Sequence, residues 1–203
     1  MTKRAPIVLL LVLYAAVLLW SAIFPKDYFT WLLEVSPGVL GLFVLIATFK
    51  RFTFSTFTYC LILLHCSILF VGGHYTYAEV PLFNWIRDHY SLLRNDYDKV
   101  GHVVQGFVPA LVIREVFIRN SIVKKRGWLS FIVISICLAI SACYELFEWL
   151  VAVVSGQSAE AFLGTQGDPW DTQSDMLCAL VGATIAMVFL SKIQDRFIKA
   201  NNA

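Results

Sequence analysis

Three pairs of polar residues carry the chemical potential of this sequence. Asp98 and His102 are four apart, Glu145 and Glu148 three apart, and Asp171 and Asp175 four apart. On a helix, each spacing puts both members on one face. Metal sites inside helical bundles are built from such i,i+3 and i,i+4 pairs on facing helices. An oxygen-rich ligand set suits magnesium, calcium or manganese, and the single imidazole also admits zinc or iron. A cation held there can polarise a phosphoryl or acyl oxygen, or activate water. In this reading Asp98, His102, Glu145, Glu148, Asp171 and Asp175 are the ligand set. His102, Glu145 and Glu148 double as acid–base groups, and Lys99 and Arg94 hold an anionic headgroup. The competing reading joins the same acids to Lys99, Arg94 and Arg87 in a structural ion-pair network, because acids within a membrane commonly pair with such cations.

The elements that must position these residues are membrane helices. Of 203 residues, 59% are hydrophobic and 15% charged, whereas a soluble domain carries about 25% charged residues. The solvent is therefore lipid. A net charge of +2, with no basic stripe interleaved with aromatics, excludes a nucleic-acid partner. The length suits one membrane domain over residues 1–203. Six segments, 6–24, 31–49, 53–72, 99–118, 128–154 and 172–192, approach the roughly 20 apolar residues that a bilayer core requires. The fold class expected is an all-α, polytopic membrane helical bundle. Lys3 and Arg4 precede an apolar run from Ile7 to Phe24. That run is longer than the core of about 7–15 residues in a signal peptide and ends in bulky Trp20 and Phe24, so it reads as a retained first span. Pro37-Gly38 in the second span and Pro109 in the fourth allow kinks. The five cysteines, Cys60, Cys66, Cys137, Cys143 and Cys178, lie in apolar runs without a CxxC and read as packing residues. No feature sets an oligomeric state.

Basic residues give the orientation. With the N-terminus inside, Lys3, Arg4, Lys50, Arg51, Arg114, Arg119, Lys124, Lys125, Arg126, Lys192, Arg196 and Lys199 are cytoplasmic, against Lys26, Arg87, Arg94 and Lys99 outside. Both termini are therefore expected in the cytoplasm. Trp20, Trp31, Trp85, Trp149 and Trp170 then cluster at outer ends, and only Trp128 at an inner one. The three polar pairs converge at one depth, just beneath the outer surface. Small or polar residues continue their stripes: Ser141, Glu145, Glu148 and Ala152 on the fifth span, and Asp171, Asp175, Cys178 and Gly182 on the sixth. Those faces are expected to turn toward one another.

Two outer connections are long, 73–98 and 155–171. The first contains Pro81 to Tyr90, which reads as a short interfacial helix; residues 158–163 in the second are no more than a turn or two. Asp168-Pro169 reads as an N-cap and first helical residue, with Asp171 in the capping-box position. His74, Tyr75, Tyr77 and Glu79 are expected either to rim the pocket or to lie in a solvated loop. His65 is expected to be a hydrogen-bonded packing residue and Glu115 and Arg114 to be structural, and Glu34 is an acid without an assigned place.

The segments Tyr97-Asp98-Lys99-Val100-Gly101-His102, Tyr144-Glu145-Leu146-Phe147-Glu148-Trp149 and Gly164 through Met176 resemble the YjdF-like family of bacterial inner-membrane proteins, over nearly the whole chain. The resemblance implies the inner membrane as location. The second half is similar, more distantly, to VanZ-like proteins. Asp98, Lys99 and His102 match their Asp-Lys-x-x-His segment, Glu145 opens the Glu-x-x-Gln segment with Glu148 in place of Gln, and Asp175 and Gly182 fit their small-residue helix. That likeness implies a role in the cell envelope. The function expected is thus a multi-pass inner-membrane protein with an acidic and histidine pocket near the periplasmic face, acting as a metal-dependent hydrolase, transferase or binder of envelope lipid or lipid-linked headgroups. The alternatives are a small proton- or ion-coupled transporter and a non-catalytic structural membrane subunit.

Overall fold

The computed structural model describes residues 4–155 and 160–202, all of whose regular structure is helical. Lys3 and Ser158 lie outside the described residues. The helices are α1 Arg4–Ser21, α2 Tyr28–Thr48, α3 Thr56–Tyr75, α4 Pro81–Tyr90, α5 Tyr97–Arg119, α6 Arg126–Ser155, α7 Glu160–Leu163 and α8 Asp171–Ile185, which continues through a π-turn, Ala186–Leu190, into α9 Ser191–Asn202. Five stretches are long and apolar enough to cross a membrane: α2, α3, α5, nearly all of α6, and the continuous helix from Asp171. Ala5–Ser21 of α1 is a shorter apolar helix. The expected all-α polytopic bundle is what the chain forms.

The helices alternate in direction. Those on the inside are α5, α6 and α8, which pack on one another; α3 packs on α5, and α1 and α2 pack on α3. Each inner helix buries a stripe with a four-residue repeat. On α5 it is Asp98, His102, Gly106, Ala110 and Arg114; on α6 it is Leu129, Val133, Cys137, Ser141 and Glu145; on α8 it is Asp171, Asp175, Ala179 and Ala183. Cys178, expected on the α8 stripe, is half-buried, and Ala179 takes its place. The remaining faces expose large apolar side chains, among them Phe43, Phe131, Leu150 and Phe189. That apolar exterior is how a bundle solvated by lipid looks, because chain tails solvate it as well as a core would.

Pro37 and Pro109 both lie inside their helices, α2 and α5, without breaking them. Helix α2 starts at Tyr28, earlier than expected, because Asp27 caps it by accepting the Thr30 amide at 2.6 Å. The interfacial helix expected at 81–90 is α4, with Pro81 at its first turn. Helix α7 is a single turn. The start of α8 is a correction: it begins at Asp171, with Trp170 in the capping position. Asp168 accepts the Trp170 amide at 2.9 Å in the preceding turn, and the Asp171 carboxylate makes ion pairs across the bundle.

Two polar clusters sit at opposite ends of the bundle. One contains the three polar pairs. The other centres on the fully buried Glu115, which accepts from the Ser55 amide at 2.7 Å, Ser55 Oγ at 2.8 Å, Thr58 Oγ1 at 2.6 Å and Arg119 at 3.2 Å. Gln194, also fully buried, donates to the Leu111 carbonyl at 2.7 Å and accepts from Arg114 at 2.8 Å. With every strong group paired, this second cluster fastens α3, α5 and α9 together, the structural role expected of Glu115 and Arg114. Between the clusters, the described buried residues of the inner helices are mainly apolar, including Val108, Ala110, Leu111, Val133 and Cys137, with the polar Ser141 one turn from Glu145.

Candidate functional site

The close approach of α5 and α8 builds the site. A Cβ on Gly106 would lie 1.8 Å from the Ala179 carbonyl oxygen, and one on Gly182 would lie 2.0 Å from that of Val103. Backbone therefore packs on backbone, which only residues without a side chain permit. One turn and more above this contact, α5 presents Asp98, Lys99 and His102 to Asp171, Ser174 and Asp175 of α8. Helix α6 supplies Glu145 and Glu148 from the other side. The expected convergence of the three pairs at one end of the bundle is observed.

The pocket has two layers. In the upper one, Lys99 Nζ donates to Asp171 at 2.8 Å, to Ser174 Oγ at 2.6 Å and to Asp175 Oδ1 at 2.8 Å. Arg94 donates to Asp171 at 2.5 Å and to the carbonyls of Thr165 and Gly164 at 3.2 and 3.3 Å, and lies 3.5 Å from Asp98 Oδ2. Burial works against its charge, but the Asp171 hydrogen bond together with the charges of Asp171, Asp98 and Asp175 offsets this and holds the guanidinium above its usual pKa. Both cations proposed for an anionic headgroup are thus engaged with the protein's own carboxylates.

In the lower layer, His102 Nε2 is 3.4 Å from Asp98 Oδ1 and 3.9 Å from Asp175 Oδ2, while Nδ1 is 3.1 Å from Gln105 Oε1 and 3.7 Å from Glu145 Oε1. Asp98 and Asp175 each turn one oxygen to a cation and the other to the imidazole. These three residues, all buried, offer ligand atoms that lie within 4.8 Å of one another. Glu145 Oε1 is buried and lacks a hydrogen-bond partner, a costly arrangement for a carboxylate oxygen. Glu148 is buried one turn beyond Glu145. Asp171, by contrast, belongs to the upper layer, where Lys99 and Arg94 hold it.

Other participants lie outside the expected ligand set. Glu34 of α2 is buried here and accepts from Tyr144 Oη at 3.3 Å. Tyr77 fills the gap between Gly72 and Gly101; burial and then the Glu34 carboxyl push its phenol well above its usual pKa, so it stays neutral. Of the four residues expected at a rim or loop, only Tyr77 is deeply placed. His74 contacts the Ser21 carbonyl and stacks on Trp20, and Glu79 pairs with Lys26 in an exposed ion pair. The Glu34 signal was present, an acid near the end of a span, but its partner Tyr144 is distant in sequence. His65 differs from expectation: it packs in α3, yet its Nε2 is buried without a hydrogen-bond partner.

A lock between loops covers the pocket. Gln166 accepts from the Asn95 amide at 3.0 Å and donates to the Asn95 carbonyl at 2.9 Å. The buried Asn95 side chain in turn donates to the Val80 carbonyl at 3.1 Å and to Asn84 at 2.8 Å. The Gly164–Asp168 segment thereby sits where the carbonyls of Gly164 and Thr165 receive Arg94.

Against known proteins, a family described as "Predicted membrane protein (DUF2238)" matches residues 6–196. The inner membrane protein YjdF of Escherichia coli (strain K12) is 48% identical over 183 residues, 90% of this chain and 88% of that protein. No solved structure matches significantly. With that match, and with apolar helices along nearly its whole length, the chain belongs to the DUF2238 family, the YjdF-like proteins, and is a multi-pass inner-membrane protein.

Proposed function

We propose that this chain binds a divalent cation (magnesium, manganese, calcium or zinc) between Asp98, His102 and Asp175, with Glu145 beside them, and presents it near the periplasmic face to envelope lipid or lipid-linked headgroups. The observation that carries this reading is the convergence of three buried ligand groups within 4.8 Å, next to a buried carboxylate oxygen that has no hydrogen-bond partner. Charge supports it as well. Glu34, Asp98, Glu145, Glu148, Asp171 and Asp175 are all buried at this end, and among the described residues the fixed cations paired with them are the half-buried Arg94 and Lys99. A divalent ion supplies the missing positive charge and works as a Lewis acid on a phosphoryl or acyl oxygen. Glu145 and Glu148 are the carboxyls placed to take or give a proton in hydrolysis or transfer. The basic residues of the opposite end favour both termini in the cytoplasm, which puts the pocket at the periplasmic side.

The test is thermal unfolding of the detergent-purified protein titrated with each of the four ions. One or more should raise the wild-type midpoint, reflecting an added stability of about 2.7 kcal/mol at a hundredfold excess over Kd, and fail to raise that of His102→Ala or Glu145→Gln. A wild-type midpoint indifferent to all four ions would remove the proposal. A second reading, a structural ion-pair network, is favoured by the ion pairs of Lys99 and Arg94 with Asp98, Asp171 and Asp175; it predicts that indifference. Coupled transport has less support, because the described buried residues between the two ends, Leu111 and Val133 among them, are mainly apolar, and His65 and Ser141 are isolated polar groups there.

A further inference from the structure

The opposite end of the bundle carries a cavity of about 390 Å³ lined by Arg114, Lys124, Lys199, Asp195 and an apolar wall that includes Ile118 and Ile198. It opens between the end of α5, the loop before α6, and α9. Asp195 is its one acidic lining residue, and Arg114 Nη2 holds it at 2.6 Å. Gln194 holds the other arm of Arg114 at 2.8 Å, so the guanidinium is rigid. Lys124 and Lys199 are exposed and have no carboxylate partner among the described residues. The cavity thus has a positive mouth, a fixed guanidinium at its base and branched aliphatic walls, at the end of the bundle where α5 stops and α6 begins. Leu129 and Val123 extend the apolar side.

We infer that this cavity is a binding site for the phosphodiester headgroup of an anionic phospholipid, with Lys124 and Lys199 on the phosphate and the aliphatic wall against the first carbons of the acyl chains. A free phosphate would use the two lysines but leave the wall uncovered, whereas a lipid covers both. Basic cavities between membrane helices at a leaflet surface have the charge and depth that such headgroups require, and the volume falls within the range of small-molecule sites. The inference does not depend on the acidic pocket.

The test follows thermal unfolding of the full chain in detergent while phosphatidylglycerol, phosphatidylcholine or inorganic phosphate is added. Phosphatidylglycerol should raise the midpoint saturably, and phosphatidylcholine and inorganic phosphate should raise it little at the same concentration. The double variant Lys124→Gln/Lys199→Gln should keep the lipid-free midpoint and bind phosphatidylglycerol about tenfold or more weakly. Lys50→Gln/Arg51→Gln removes the same charge from an exposed loop at the same end and should bind as the wild type does. Equal binding by the Lys124/Lys199 variant, equal loss in the Lys50/Arg51 variant, or an equal effect of phosphatidylcholine or of free phosphate would each overturn the inference.

Discussion

Lys99 is the residue on which the neighbouring acids depend most. One ammonium serves Asp171, Ser174 and Asp175 together. Lys99→Met keeps the aliphatic stem and removes the charge, leaving two buried carboxylates short of a partner. Breaking a buried pair in this way costs about 3–5 kcal/mol, and chemical unfolding of the purified variant should show a loss of that order. The same change deepens the negative potential around His102. If the pocket takes a divalent cation, adding that ion should recover part of the lost stability; a purely structural network would show the loss and no recovery. The sequence pointed to the acids and the imidazole, but not to this division of labour. Lys99 is about 100° around the helix from Asp98, so adjacent residues face different neighbours, and a long flexible side chain chooses its partner only once α8 is in place. Glu34 and Tyr144 met for a similar reason: nothing local links α2 to α6.

At the scale of elements, the register of α5 against α8 decides whether those side chains meet. Gly106→Ala would drive a methyl group to 1.8 Å from a backbone oxygen of Ala179, which no rotamer change relieves. The helices must separate, and a loss of about 3 kcal/mol is expected, readable by the same unfolding measurement. Gly41→Ala is the control: a Cβ there meets nothing within 4 Å, and in a helix interior the exchange should be neutral or stabilising by about 0.5–1 kcal/mol. A Gly106→Ala variant as stable as wild type would mean that the two backbones do not touch. Hydropathy located the spans, and Pro81 located α4, because both signals are local. The stripe of small residues on α8 was also legible, but its contact register was not, and the π-turn at Ala186–Leu190 leaves no trace in a uniformly apolar run. Asp168 misled about the start of α8 because its carboxylate caps the Trp170 turn just before the helix.

The whole molecule has two polar ends with different duties, separated by a mainly apolar middle. The end with Glu115 is fully paired and fastens helices. The end with His102 keeps more buried carboxylates than fixed cations. Both termini in the cytoplasm would put that end at the periplasm. A membrane-impermeant maleimide applied to intact cells should label Leu93→Cys, a fully exposed position beside the pocket, and should not label Lys124→Cys at the other end; the reverse pattern would invert the orientation. The alternation of spans and the clustering of the acids at one depth followed from the sequence, since lipid makes each charge conspicuous. Pairing across helices did not, because it depends on which faces touch. The most direct measurement of the central claim is the divalent metal content of protein purified without chelator, wild type beside Asp175→Asn. A cation held between Asp98, His102 and Asp175 predicts near-stoichiometric metal in the wild type and little in the variant; equal content in the two, or none in either after incubation with all four ions, would contradict it.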